Sequence, residues 1–161
     1  MELSTVSATS RHLEELVIAY WHEVDFNWGE NAAEHYTADG LFVSARSHYE
    51  GRAQIREFYA WRKERSARVN VHLVGNFYLK NLTDSQADVD WICILYAHDG
   101  VAPQQSAPPI AISRVSDIFV RANDGPWLCK RRQWETLFSG GAPTTGLTKD
   151  EMAKRVSQKA G

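Results

Sequence analysis

A chain of 161 residues is the length of one domain, long enough to bury its own core without disulfide or metal staples. Its composition, 43% hydrophobic, 24% charged and 11% aromatic, is that of a folded globular protein and argues against disorder. A formal net charge of −2 offers no basic footprint for phosphates, so neither nucleic acid nor an anionic membrane is expected as a partner; small molecules or copies of the chain are.

The opening residues Met1 to Thr5 carry neither a basic nor an apolar leader region, and no later run approaches the ~20 apolar residues of a membrane span. A cytoplasmic location is expected. Leu13, Leu16, Val17, Tyr20, Trp21 and Val24 recur at three- and four-residue steps and predict an amphipathic helix from near Ser10 to about Asp25–Trp28, where Gly29 breaks it. A short second helix carrying Ala33 and Tyr36 is expected next, then a turn at Ala38-Asp39-Gly40 and a strand at Leu41-Phe42-Val43-Ser44. Tyr49 belongs to a short extended piece that leads through Gly51 into a third helix, with Ile55, Phe58, Tyr59 and Arg62 on one face.

Four long strands follow, over 69–79, 84–98, 109–122 and 127–138. Asn81-Leu82-Thr83-Asp84, a Pro-rich loop and Asn123-Asp124-Gly125 join them. Short joins predict an antiparallel meander, and helices followed by strands predict an α+β arrangement. Residues 1–138 are expected to form one domain. Residues 139–161 form a tail in which Thr148-Lys149-Asp150-Glu151 is a capping-box pattern opening a short polar helix. On the second long strand Asp90, Ile92, Ile94, Tyr96 and His98 alternate with Val89, Trp91, Cys93 and Leu95, so both faces are largely apolar. A sheet with one face in water would be polar on alternate residues, so a homodimer or homotrimer is expected to cover the second face.

Cys93 and Cys129 lie inside strands and form no metal-type or redox-type pair, which predicts buried, reduced thiols. Gly140-Gly141-Ala142-Pro143 does not have the pattern of a phosphate loop, and no zinc motif or nucleophile elbow is present. Neither cofactor nor metal is expected, and any chemistry falls to side chains. Histidine is the side chain that both takes and gives a proton near neutrality, with an unperturbed pKa of about 6.5. His72 is the leading candidate, and an Asp within reach would fix its tautomer and raise its pKa.

Several of these segments together resemble a known family. Tyr20 with Asp25 and Trp28 at the end of the first helix, Asp39-Gly40-Leu41-Phe42, Tyr49-Glu50-Gly51-Arg52 and Val71-His72-Leu73-Val74-Gly75-Asn76 resemble the polyketide-cyclase-like (SnoaL-like) branch of the nuclear-transport-factor-2-like superfamily. So do Asp124-Gly125-Pro126-Trp127 and Arg131-Arg132-Gln133-Trp134, and the resemblance spans about residues 10–138. It implies a cone-shaped fold with about three N-terminal helices on a strongly curved antiparallel or mixed sheet enclosing a pocket.

Within that branch the chain is most similar to the cofactor-free dehydratases acting on scytalone and on bile acids. That likeness implies catalytic roles for Tyr20, Asp25, His72 and His98. The scytalone type has Ser and Asn on the next strand where this chain has Arg114 and Ser116, and the Arg implies an anionic or phenolate-bearing ligand. Tyr49, Tyr59, Trp28, Ser116, Tyr96 and Asn76 are the candidate substrate contacts. The expected activity is a lyase that eliminates water from a hydroxylated aromatic, phenolic or polycyclic molecule, with formaldehyde as a second product if the chemistry follows the superfamily's lignin-dimer lyases. A non-catalytic small subunit of an aromatic-ring dioxygenase and a binding domain without turnover are the alternatives on the same scaffold.

Overall fold

The computed structural model describes residues 3–140 and 146–159. The chain runs α1 (Leu3–Phe26), a 3-10 turn (Ala32–His35), β1 (Tyr36–Val43), β2 (His48–Glu50), α2 (Gly51–Arg65), β3 (Arg68–Leu82), β4 (Gln86–Asp99), β5 (Ala111–Val120), β6 (Leu128–Ser139) and α3 (Lys149–Lys159). The apolar stripe of α1 is buried as Leu13, Val17, Tyr20 and Trp21, a helical repeat laid against the sheet. The helix starts at Leu3 rather than near Ser10. Its first turns are largely exposed, so they left no apolar period to read.

Two expectations at the N-terminal end change. The middle helix is a single 3-10 turn, and Ala38-Asp39-Gly40 lies within β1 instead of ending a helix. The 3-10 turn is followed at once by Tyr36, which is buried and already extended.

The sheet has six strands in the order β2-β1-β6-β5-β4-β3. β3 to β6 form the expected antiparallel meander, while β1 pairs with β6 in parallel, so the sheet is mixed. Register shifts interrupt β3 between Gly75 and Tyr78, and β6 at Leu137 and at Lys130, opposite Ile112/Ser113 and Ile118/Phe119 of β5. Each such bulge bends and twists its strand, curling the sheet around α1 and α2. Asn76 stands in the first shift with φ of 50°, a left-handed conformation that Asn tolerates better than most residues. The shift changes the side facing the helices: His72 and Val74 point inward before it, Phe77 and Leu79 after it.

A buried ion pair anchors the core. Arg132 donates to Asp117 through Nε (2.9 Å) and Nη2 (2.8 Å), and Trp91 Nε1 donates to Asp117 Oδ2 at 3.0 Å. The guanidinium lies 4.4 Å from the centre of the Tyr20 ring and 5.5 Å from that of Trp21. In sequence Arg132 belongs to a basic run that reads as a solvated edge; the bulge at Lys130 turns it inward while Arg131 stays exposed.

The outer face of the sheet keeps apolar side chains in the open, among them Val71, Leu73 and Tyr96. The tail is tied to the domain: Tyr49 Oη accepts from Leu147 N–H at 2.9 Å, and α3 is fastened to α2 by Arg155 on Glu57 and Glu64. The Thr148–Glu151 capping box is formed, with Glu151 Oε2 accepting from Thr148 N–H at 2.7 Å. Gly141 to Pro143, the rest of the glycine-proline run, lie outside the described residues.

Candidate active site

Between α1, α2 and the concave face of the sheet lies a cavity of about 180 Å³. Trp21, Phe42, Phe58, Tyr59 and Trp134 form its aromatic walls, and Cys93, Leu95 and Ala111 part of its floor. A dry cavity of roughly 150 Å³ is enough to take up benzene, so this one has room for a single substituted ring.

His72 reaches the cavity from β3, and Asp25 stands behind it at the last turn of α1. Asp25 Oδ1 lies 2.6 Å from His72 Nδ1 and accepts from Asn70 Nδ2 at 2.5 Å, while Oδ2 accepts the His72 backbone N–H at 2.8 Å. A carboxylate only accepts, so Nδ1 carries the hydrogen and Nε2 is left as the basic atom of the ring. Trp21 stacks on the imidazole, with ring centres 3.9 Å apart at 17°. Burial lowers the pKa of His72 below its ordinary value, against the upward pull of the Asp25 hydrogen bond and charge. The sequence alone suggested a net rise; the dry aromatic surroundings outweigh the carboxylate, and the imidazole is neutral at pH 7.

Tyr59 comes from α2, lines the cavity and shares a short hydroxyl–hydroxyl hydrogen bond with Tyr20. Burial pushes both phenols well above 10, so both stay protonated. Tyr20 itself is buried behind Tyr59 and meets the cavity only through it.

The remaining candidates stand elsewhere. His98 is exposed, bonded through Nδ1 to the Asp99 carbonyl at 2.7 Å, because the β4 residues facing inward are the odd-numbered Trp91, Cys93, Leu95 and Ala97. Arg114 and Ser116 are on the outer face of β5, where Arg114 Nε (3.2 Å) and Ser116 Oγ (2.7 Å) donate to Asp90. Although partial burial works to raise it, those bonds and one from Lys80 hold the Asp90 carboxyl at about 2. Tyr96 shares that outer face and is 41% exposed.

Asn76 is a bulge residue, and Trp28 occupies a positive-φ turn (60°) after α1, where Gly29 N–H donates to Glu23 O at 3.1 Å. Tyr49 is fully buried behind the cavity wall and holds Ser47 and Leu147. Of the eleven candidates, the structure brings only His72, Asp25 and Tyr59 together at the cavity, with Tyr20 one bond behind.

Among the lining residues not singled out as site residues are Trp21, Asn70, Arg62 and Arg68. Arg68 and Asn70 share the parity of His72 on β3, and Arg62 shares the helix face of Tyr59, so period-two and three-residue spacing from the chosen residues would have found them. Arg68 Nη1 pairs with Asp99 at 2.6 Å. Burial, reinforced by the neighbouring Arg68 charge, lowers Arg62 to about 10. Among the described residues no three His, Cys, Asp or Glu side chains gather as a metal site. Cys93 faces the cavity as a thiol that burial pushes up to about 12.

The sequence matches the SnoaL-like domain family over residues 7–133, most of its length, and the chain belongs to that family. No curated protein matches it. Its fold is similar to that of a protein from Novosphingobium aromaticivorans provisionally named a scytalone dehydratase, with 18% identity over 91% of this chain and 96% of that one and a TM-score of 0.76. It is also similar to a provisionally named aromatic ring hydroxylase from the same organism, with 22% identity over 89% and 95% and a TM-score of 0.69. ActVI-ORFA from Streptomyces coelicolor shares it as well, with 18% identity over 76% and 93% and a TM-score of 0.66. At these identities the likeness concerns the fold.

Proposed function

We propose that this member of the SnoaL-like family is a lyase that eliminates water from a small hydroxylated aromatic compound, using His72 as its proton-transfer group. The observation that carries the reading is the Asp25–His72 pair at the wall of an aromatic cavity: a neutral imidazole with its tautomer set by a buried carboxylate. Such a group is poised as a general base near pH 7, a contribution of ~10²–10⁴-fold.

The step balances within the site. Nε2 of His72 takes a proton from carbon, the adjacent C–O bond breaks as the C=C bond forms, and hydroxide leaves with a proton as water. Once protonated, His72 is the acid closest to that oxygen, and Asp25 stabilises the imidazolium. Tyr59, held protonated by burial, lines the cavity with its hydroxyl hydrogen-bonded to Tyr20. A phenol on the substrate assists by pushing electrons toward the benzylic carbon. The cavity volume favours one substituted ring over a polycycle. Loss of formaldehyde after water is a finer possibility of the same site, decided by the substrate.

The test is ultraviolet-monitored turnover of hydroxylated phenolic compounds by wild type and His72→Gln. Elimination lost by ~10²-fold or more, in a variant that still melts cooperatively, is the expected result. Equal turnover by the variant removes His72 from the mechanism.

A further inference from the structure

The unmet hydrogen-bonding capacity around the cavity is all of one kind. Trp21 Nε1, Trp134 Nε1 and Arg68 Nε are buried without a partner, and each belongs to a residue lining the cavity. All three are donors. The charged groups there are also donors: Arg46, Arg62 and Arg68 line the cavity, and among the described residues no carboxylate does. Asp25 sits behind His72, Asp99 pairs with Nη1 of Arg68, and Arg46 is held by the Gly146 carbonyl at 3.1 Å with Glu151 3.9 Å away.

Those three donors lie within the wall, and what faces the cavity is positive charge: a site whose charged lining groups, among the described residues, are all guanidiniums is complementary to a ligand that carries negative charge. The Arg68 side chain is only 9% exposed, so its charge is held inside the protein rather than offered to water. Arg62 is crowded by Arg68 and partly desolvated, and an anion between the two relieves both effects. Guanidinium forks match a carboxylate in plane and spacing.

We infer that the ligand of this cavity is an aryl carboxylate, its ring between the Trp21, Phe58 and Trp134 walls and its carboxylate on Arg62 and Arg68. The anionic ligand that Arg114 suggested in the sequence thus returns on different residues, since Arg114 spends its charge on Asp90 outside. The inference rests on reading this cavity as the substrate site, and it adds the substrate class.

The test is titration calorimetry with 3-phenylpropanoate and its neutral analogue 3-phenylpropan-1-ol. Wild type should bind the acid at least tenfold more tightly than the alcohol. Arg62→Met and Arg68→Met should each cut that ratio by at least threefold, the double variant should abolish it, and affinity for the alcohol should stay within twofold. Should Arg68→Met melt early, Arg68→Lys keeps a charge for Asp99 but loses the fork, and it too must lower the ratio. Equal affinities in wild type, no binding of either probe at millimolar concentration, or a preference surviving in the double variant overturns the inference.

His72→Gln separates it from the lyase reading. That variant should keep the wild-type carboxylate preference, and losing it counts against the assignment to Arg62 and Arg68. In wild type, a carboxylate preference with no elimination of any hydroxylated aryl acid sinks the lyase reading alone.

Discussion

Replacing Asp25 by Asn alters one atom and reverses the logic of the site. Asp25 is 4% exposed and accepts three N–H donors, from Asn70 and from the backbone and ring of His72, at 2.5–2.8 Å. An amide offers one acceptor oxygen and sets its own NH₂ against at least one of those donors. If that donor is His72 Nδ1, the ring moves its hydrogen to Nε2 and the basic atom turns away from the substrate. The kinetic cost is that of a general base in the wrong tautomer, ~10²–10⁴-fold in kcat/KM. Losing one hydrogen bond to a buried charge costs about 2–3 kcal/mol, a fall of roughly 5–10 °C in Tm for a chain this size.

The pH profile adds a sign. His72 titrates below its ordinary value because burial outweighs Asp25, so the acid limb of wild-type kcat/KM lies below pH ~6.5. Removing the carboxylate takes away the interaction that favours the cation, so any residual activity of Asp25→Asn has its acid limb at still lower pH. The assay is ultraviolet-monitored elimination from pH 4.5 to 8.5. A variant within threefold of wild type, or an acid limb that moves upward, refutes the reasoning.

Other outcomes follow from the same contacts. Because His72 is harder to protonate folded than unfolded, stability should be full above pH ~6.5 and decline as pH falls toward its folded pKa; His72→Gln should flatten that slope in urea melts, and a wild-type slope that stays unchanged counts against the shift. Asp117→Ala leaves Arg132 buried with no counter-charge and should destabilise by about 3–5 kcal/mol in denaturant titrations; a loss under 1 kcal/mol contradicts the central role of the pair. Gel filtration should show a dimer or trimer, shifted toward monomer by Leu73→Glu on the 49% exposed outer face; a wild-type monomer at micromolar concentration ends the covered-sheet expectation.

Most of the fold could be read from periodicity. Leu13, Val17, Tyr20 and Trp21 announced α1, and four long strands with short joins announced the meander. The exposed start of α1 had no such signal. Within the site, Asp25 and His72 were legible through the family resemblance, which implies an Asp at the end of the first helix and a His on the strand after the third.

His98 and Arg114 were misplaced because both faces of β4 and β5 are apolar, which hides the inward side. The β4–β5 register resolves it: Asp90 faces Ser116 and Ile92 faces Arg114 on one side, Trp91 faces Val115 and Cys93 faces Ser113 on the other. Arg132 needed the bulge at Lys130, a one-residue change of face that composition does not announce. Arg62 falls on the helix face of Ile55, Phe58 and Tyr59 without a site role in the sequence, and Arg68 stands one residue before the strand predicted over 69–79; the fold brings both to the cavity wall.

The protonation of His72 itself is the most direct check. In long-range ¹H–¹⁵N spectra at pH 7 the imidazole should be neutral, with hydrogen on Nδ1 and a bare Nε2, and should titrate below 6.5. An Nε2–H tautomer, or an imidazolium persisting at pH 7, contradicts a general base held ready by Asp25.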